Sequence, residues 1–469
     1  MYQKMLDTLT KVATMHGSIS EPDGWAGVRV LEKTEDTPTY FQICMILRPG
    51  KKSYIRTEIC LPTKDNWNGC FLGLGVGGIG GYLNHAQIEG YVKQGYAVGQ
   101  SDLGTSLGRF TGESSRDTWI DFGHRANHVM TLAGKALLYA LYGEHETYAY
   151  FFGASTGGQQ GLSIAQHYPT DYNGIVSGVP AHNRVALHTY FLWNYLHLIS
   201  PKGRPLFSPA KIEEVAKTVV AFYQERGDGE PGDWFVSYPK ADKGTINACL
   251  SYLKAHIKLS KAQETSLYHL YHGPHNSRTG KRIYGGLPMG SELNFCGLCL
   301  GKTGVDSFLY PFKWAFGKDY DGKDFDFDRD FTAICRRLSR HLDATNPDLS
   351  AFYEAGGKLL SYSGTQDSCV PYHESVRYLG QVVRRFGQET ANSFFRYFLL
   401  PGKGHSVEGS GVQSWRGYMS GDVNTRQLGD LELLRLWVEE GKAPDSMTAI
   451  CLRDGEILFE RVIPFYQCK

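Results

Sequence analysis

The sequence has no surplus of charge of either sign. Its 49 Lys and Arg stand against 48 Asp and Glu, leaving a formal charge of +1. That removes the strong field with which a protein collects nucleic acid or an anionic membrane, so neither is expected as a partner. Also lacking is any apolar run near the roughly 18 residues of a membrane span, and no internal repeat or low-complexity tract interrupts the chain. The opening MYQKMLDTLTKVATMHGS is broken by Lys4, Asp7 and Lys11, which excludes a secretory signal and reads as a short amphipathic helix. If this is the natural start, a cytoplasmic location is expected; a trimmed signal would make the protein secreted. Among 10 cysteines there is one CxxC, Cys296 and Cys299, with no second ligand pair nearby for zinc. The run Asp324-Phe-Asp326-Phe-Asp328-Arg-Asp330 lacks the glycine and closing glutamate of a calcium loop and reads as a solvated edge. Cys369 has no CxxC partner and reads as a packed thiol. No metal and no cofactor is expected.

What is present is ordinary globular composition, 42% hydrophobic and 21% charged, on a chain of 469 residues. That length exceeds one ordinary core, so it implies several domains or one core with a large insertion. Aromatics reach 13%, with 29 Tyr, which suits packed cores and partly wet pockets alike. Strands are expected at Thr39–Leu47 and Tyr54–Leu61 (a pair joined at Pro49–Lys51), Cys70–Gly75, Tyr96–Ser101, Tyr148–Gly153 and Gly174–Ser177. Helices are expected at Asp117–Tyr142 and Ser155–Tyr168. Such alternation predicts a parallel sheet covered on both faces. It stops after Pro180 and resumes with a strand at Lys358–Gly364, a helix at Ser375–Phe386, a strand at Ser393–Leu400 and a helix at Gln427–Glu440. The expected architecture is α/β: a doubly wound, mostly parallel sheet formed by 1–182 and 350–469, with 183–349 inserted above its C-terminal edge as a lid.

Gly153-Ala154-Ser155-Thr156-Gly157 follows one of these strands and opens a helix. A serine on such a crowded turn is held up over the sheet as a nucleophile, which is the elbow of the α/β-hydrolase fold. Gly104-Thr105-Ser106-Leu107-Gly108 matches the same pentapeptide but leads into RFTGESS rather than a helix, and reads as a loop. A nucleophilic serine needs a base and an orienting acid, in the chain order Ser, acid, His. The loops after Lys358–Gly364 and Ser393–Leu400 supply Asp367 and His405; His373, at a helix start after Pro371, is the nearest rival. The oxyanion requires backbone donors. Thr156 is one, and Gly77 or Gly78 of the run Gly73–Gly81 is the other. Gly73, Gly75 and Gly78 also fit GxGxxG, but the run continues in glycine where a dinucleotide-binding helix should start.

With these residues in view the chain resembles the tannase and feruloyl esterase family. The stretches that carry the resemblance are FLGLGVGGIGGYL, GYAVGQSDLG, WIDFGHRANHVMTLAGKALLYALYG, YFFGASTGGQQGLSIAQHYPTDYNGIVSGVPA, RTGKRIYGGLPMGSE, FDFDRDF and NPDLSAFYEAGGKLLSYSGTQDSCVP. The resemblance runs from about Thr39 to the end. It implies an α/β-hydrolase fold with a lid, a triad at Ser155, Asp367 and His405, and a pocket for an aromatic acid shaped by lid aromatics, for which Trp193, Phe312, Trp314 and Phe316 are candidates. Two family cysteines, bridged behind the triad, correspond to Ala154 and Ser406 here, so that bridge is absent as a unit, which fits a reducing compartment. The family's lid calcium loop corresponds to ERGDGEPGD, where only Asp228 and Asp233 remain, so calcium is not expected. Cys451 and Cys468 match a pair the family bridges, and are either paired or free thiols. The expected activity is a serine carboxylesterase acting on small aromatic-acid esters, foremost hydroxycinnamates such as a feruloylated sugar, with gallate esters as the alternative. A non-catalytic binding protein on a hydrolase scaffold is the rival from another class; a binder would have no need of all three triad residues.

Overall fold

The computed structural model describes residues 2–20, 24–35, 37–106, 114–227, 230, 232–240, 242–406, 408–418, 429–454 and 456–468. They form two compact units: Met1–His182 with His341–Leu360 and Val438–Glu440, and Asn183–Arg340 with Ser361–Trp437 and Gly441–Lys469. Residues 361–437 thus pack with 183–340, a division by contact that differs from the expected 1–182 plus 350–469. Buried bonds within the second unit show the reason. Tyr190 donates its hydroxyl to the Ser368 carbonyl at 2.9 Å, and Tyr372 donates to Pro239 at 2.5 Å.

The first unit is built on β1 (Gly27–Leu31), β2 (Tyr40–Leu47), β3 (Ile55–Pro62), β4 (Cys70–Leu74), β5 (Ala97–Ser101), β6 (Tyr148–Ala154) and β7 (Gly174–Gly178), in the order β1-β2-β3-β5-β4-β6-β7. β1, β2, β3 and β5 pair antiparallel in turn; β5, β4, β6 and β7 pair parallel. Every residue of β4, β5 and β7 is buried, as continuous apolar runs in a covered parallel sheet should be. β8 (Lys358–Gly364) passes from this unit into the second, and the Lys358 N–H donates to the Asn173 carbonyl at 3.0 Å.

The helix expected over Asp117–Tyr142 is interrupted. Arg116–Ile120 and Ala126–Tyr142 are joined by a wider π turn, Asp121–Arg125. Gly123 in that turn lies so close to the His341 carbonyl that any Cβ there would overlap it. Packing against this backbone overrides the regular period.

The segment 183–340, irregular in sequence, is largely helical: Arg184–Leu198, Pro209–Glu225, Lys243–His256 and Lys261–His272. Ser208, Asp242 and Ser260 cap three of these, each accepting a backbone N–H three residues on. Their apolar faces, including Val215, Val219, Cys249, Leu253 and Leu267, close a core of the second unit. That unit also holds β9 (Phe395–Leu400) and an antiparallel sheet of β10 (Ser414–Tyr418), β11 (Ser446–Arg453) and β12 (Glu456–Pro464), which the sequence reading did not expect. β9 starts at Phe395 rather than Ser393 because the helix Gln388–Phe394 runs directly into it. No helix among the described residues is long and apolar enough to cross a membrane.

Candidate active site

Ser155 sits in the first unit between β6 and the helix Thr156–His167, with φ 62° and ψ −118°. A positive φ on a residue with a Cβ is costly, about 1–3 kcal/mol, and persists only where neighbours over-determine it. Here they do. The Ser155 N–H donates to the Gly178 carbonyl at 2.9 Å, and its carbonyl accepts from Gln159 at 3.0 Å and Ala181 at 3.1 Å. The glycines of the pentapeptide answer to close backbone approach: a Cβ on Gly153 would meet the Gly157 carbonyl oxygen at 2.5 Å.

Thr156 begins the helix, where an N–H has no partner in a preceding turn. Its hydroxyl donates to the Gly78 carbonyl at 2.5 Å, tying the glycine loop to the elbow within the first unit. The loop is further held by Gln160, which donates to the Val76 carbonyl at 3.0 Å and accepts from the Val76 N–H at 3.3 Å. Of the two glycines offered by sequence for the loop donor, Gly77 has its N–H engaged by the Tyr82 hydroxyl at 3.1 Å, and Gly78 has φ 61°. Ser106 of the second pentapeptide is buried, while Leu107 and Gly108 lie outside the described residues.

In the second unit the structure brings Asp367 and His405 together. Asp367 is fully buried at the turn after β8. One carboxylate oxygen accepts the Cys369 and Val370 N–H groups at 2.9 and 2.7 Å; the other meets His405 Nδ1 at 2.7 Å. In the neutral imidazole the carboxylate therefore selects the tautomer with the proton on Nδ1, leaving the lone pair on Nε2. The two loops are locked to one another. Thr365 N–H donates to Leu400 O at 3.0 Å, Gln366 N–H to Lys403 O at 3.0 Å, and Gly402 N–H to the Thr365 hydroxyl at 2.8 Å. His405 N–H is held by Glu408 at 3.0 Å. Burial disfavours the imidazolium, but the Asp367 carboxylate outweighs it, and the His405 pKa lies above the ordinary histidine range. His373, the rival, begins its helix; neither ring nitrogen has a hydrogen-bond partner among the described residues, and burial beside Arg282 pushes its pKa down to about 3.

Phe312 and Trp314 are buried, against Phe325 and Tyr320 and against Tyr310 respectively. Trp193 donates its indole N–H to the His269 carbonyl at 2.9 Å, and Phe316, 37% exposed, packs on Tyr320. Two engagements were not legible in sequence. Cys369, read as a packed thiol, lies against Cys296, whose sulfur and burial push its thiol pKa up. Asp233, a residue of the expected degenerate calcium loop, is gripped on both oxygens by Arg461, at 3.0 and 2.8 Å. The guanidinium engages both oxygens of Asp233; Asp228 lies outside the described residues. Within Asp324–Asp330, Asp328 pairs with Arg278 at 2.8 Å and Asp330 with Arg329 at 2.8 Å, and Asp326 accepts the backbone N–H groups of Asp328 and Arg329 at 2.8 Å.

The model of the family described as tannase and feruloyl esterase matches residues 43–304 and 315–464. Feruloyl esterase B of Aspergillus niger is 27% identical over 430 residues, covering 87% of this chain and 78% of the relative. An uncharacterised esterase of Xanthomonas campestris is 27% identical over 471 residues, covering 92% and 80%. In structure the chain matches feruloyl esterase B from Aspergillus oryzae with a TM-score of 0.79 at 22% identity over 99% of this chain and 96% of that one. It matches the tannin acyl hydrolase of A. niger at 0.73 and 19%, over 98% and 92%. These structures share its α/β-hydrolase-like fold. The chain belongs to the tannase and feruloyl esterase family, and it is a carboxylic ester hydrolase.

Proposed function

We propose that the esterase uses Ser155 as nucleophile, His405 as base and Asp367 as orienting acid, and that its substrates are esters of hydroxycinnamic acids, such as a feruloylated sugar. The single observation that carries the mechanism is the strained elbow at Ser155, φ 62°, since backbone strain of this kind is kept where it positions a reacting group. The His405–Asp367 contact of 2.7 Å supports the other half. In this reading His405 takes the Ser155 proton, the hydroxyl oxygen attacks the ester carbonyl, and the alcohol leaves with that proton. Water activated by His405 then releases the acid from the acyl-enzyme. Thr156 supplies an oxyanion donor from the helix N-terminus.

The substrate class rests on the relatives: several are named feruloyl esterase B. Residues 183–349 act as the lid in this proposal, and of the four aromatics named for the pocket Phe316 keeps the most surface free. A cytoplasmic setting without resident calcium belongs to the same proposal, supported by Ala154 and Ser406 at the family's cysteine positions and by the Arg461 grip on Asp233.

The test is hydrolysis of methyl ferulate, methyl p-coumarate, methyl gallate and p-nitrophenyl acetate by wild type and Ser155→Ala. Hydroxycinnamate turnover that disappears in Ser155→Ala is expected. Preference for gallate would make the enzyme a tannase. Turnover in Ser155→Ala near wild type would remove the mechanism, and cleavage of the acetate alone would remove the aromatic-acid assignment.

A further inference from the structure

The glycine loop after β4 carries a side chain that folds back onto it. Tyr82 Oη accepts the Gly77 N–H at 3.1 Å, and a Cβ added to Gly77 would lie 3.5 Å from that oxygen. Three consequences follow. One of the two glycine N–H groups expected from sequence for the oxyanion is already used. The phenol, having accepted a hydrogen bond, is polarised as a donor. And its proton finds no acceptor among the described residues, although the ring is 49% exposed and its oxygen is pinned in place.

The position of this hydroxyl is not incidental. The loop is fixed to the elbow from three sides, all in the first unit. Thr156 donates its hydroxyl to Gly78, Gln160 bridges both polar groups of Val76, and the Gly75 N–H donates to Phe152 O at 2.9 Å. Gly75 also approaches Gly157 so closely that a Cβ on it would stand 2.7 Å from the Gly157 Cα. A tyrosine hydroxyl on this loop is therefore carried by the same frame that carries Ser155 and the Thr156 N–H.

We propose that Tyr82 is a catalytic residue: its hydroxyl, with the Gly77 N–H behind it, is the loop-side oxyanion donor that acts together with the Thr156 N–H. This rests on the reading of Ser155 as nucleophile. As the Ser155 oxygen–carbon bond forms, the carbonyl π pair moves onto the carbonyl oxygen, and the Tyr82 O–H hydrogen bond to that oxygen shortens. The phenol keeps its proton throughout. When the tetrahedral intermediate collapses, the pair returns to the carbonyl and the alcohol departs with the proton held by His405. A phenol suits an ester carbonyl because it is a stronger donor than an amide, and its ring adds an apolar edge beside an aromatic acyl group.

The test is Tyr82→Phe, which keeps the ring and removes the donor. The expected result is a kcat on methyl ferulate lower by about 10²–10³-fold, the usual cost of one oxyanion donor, with KM and ferulate affinity within about threefold. An aryl trifluoromethyl ketone, whose adduct on serine carries the oxyanion, should lose affinity in proportion to kcat/KM. Turnover within about threefold of wild type would overturn the proposal, and so would a loss of kcat matched by equal losses of ferulate affinity and thermal midpoint, which marks a packing role. Fluorophosphonate labelling separates the layers. Label absent from wild-type Ser155 removes the nucleophile and the Tyr82 role with it; label present together with an active Tyr82→Phe removes only the latter.

Discussion

Two buried carboxylates show how environment decides what the same group does. Asp367 is surrounded by donors, two backbone N–H groups and His405, and so is held in place to orient an imidazole. Because its charge raises the His405 pKa, the acidic limb of kcat/KM should lie above the 6.5 of free imidazole. Asp367→Asn should move that limb down and cut kcat by about 10³–10⁴-fold, measured as a pH profile on methyl ferulate; a limb unmoved by the substitution would separate the two residues. Glu292 is the contrasting case. It is buried beside the Gly290 N–H, at 2.9 and 3.1 Å, and the Tyr271 hydroxyl, at 2.9 Å, and burial pushes its pKa up to about 7. The folded state therefore binds the proton more tightly than the unfolded chain, and the neutral acid's contribution to stability is full below about pH 4.5 and is lost as pH rises through about 7. Glu292→Gln, an isostere of the neutral acid, should raise the urea-unfolding free energy relative to wild type by roughly 1–3 kcal/mol at pH 8 and by much less at pH 5. Equal effects at the two pH values would mean Glu292 does not titrate in this range.

At the scale of elements, the elbow was legible because strand, crowded turn and helix each leave a sequence mark. The apolar run of β6, the small residues Gly153 and Gly157 and the helical segment Thr156–His167 all point the same way. Its tolerance is narrow. Gly153→Ala places a Cβ 2.5 Å from a backbone oxygen and 2.8 Å from the Gly157 Cα, neither of which can rotate away. It should cost about 1–3 kcal/mol of stability and lower turnover; a variant with unchanged thermal midpoint and kcat would show that the turn relaxes freely. The helices of 183–340 were less legible. Three of the four named have a polar cap, but their apolar stripes are diluted by Tyr, His and Lys, so periodicity alone reads as irregular. The strand β12 was missed for the opposite reason. β12 keeps most of its side chains out in solvent, Val462 at 61% exposure, so apolar content there does not mark a buried face.

For the whole molecule, the ten cysteines offer a test of the proposed setting. All stand as free thiols, Cys451 and Cys468 included, and Cys369 touches Cys296 without a bond between them. Thiol titration in denaturant without reductant should therefore count ten, and a count lower by two would reveal a disulfide that the reducing-compartment proposal does not allow. Calcium offers an independent check. With Asp233 held by Arg461, addition of calcium or of a chelator should leave the thermal midpoint unchanged. A chelator-induced fall of several degrees would show a site elsewhere.

The sequence by itself determined the α/β plan and the places of the crowded turn at Ser155 and of the loops that carry Asp367 and His405, because these depend on local marks: a strand that ends, a turn that needs small residues, a loop that follows. Asp367 and His405 could be picked from many acids and 16 histidines only because each follows such a strand. What the tertiary structure decided depends on groups far apart in the chain. The pairing of Asp233 with Arg461, of Cys369 with Cys296, and the π turn set by Gly123 against His341 each join residues that no spacing rule connects. The hydroxyl of Tyr82 belongs with them: it lies only five residues from Gly77, yet only the folded loop turns it back onto that amide.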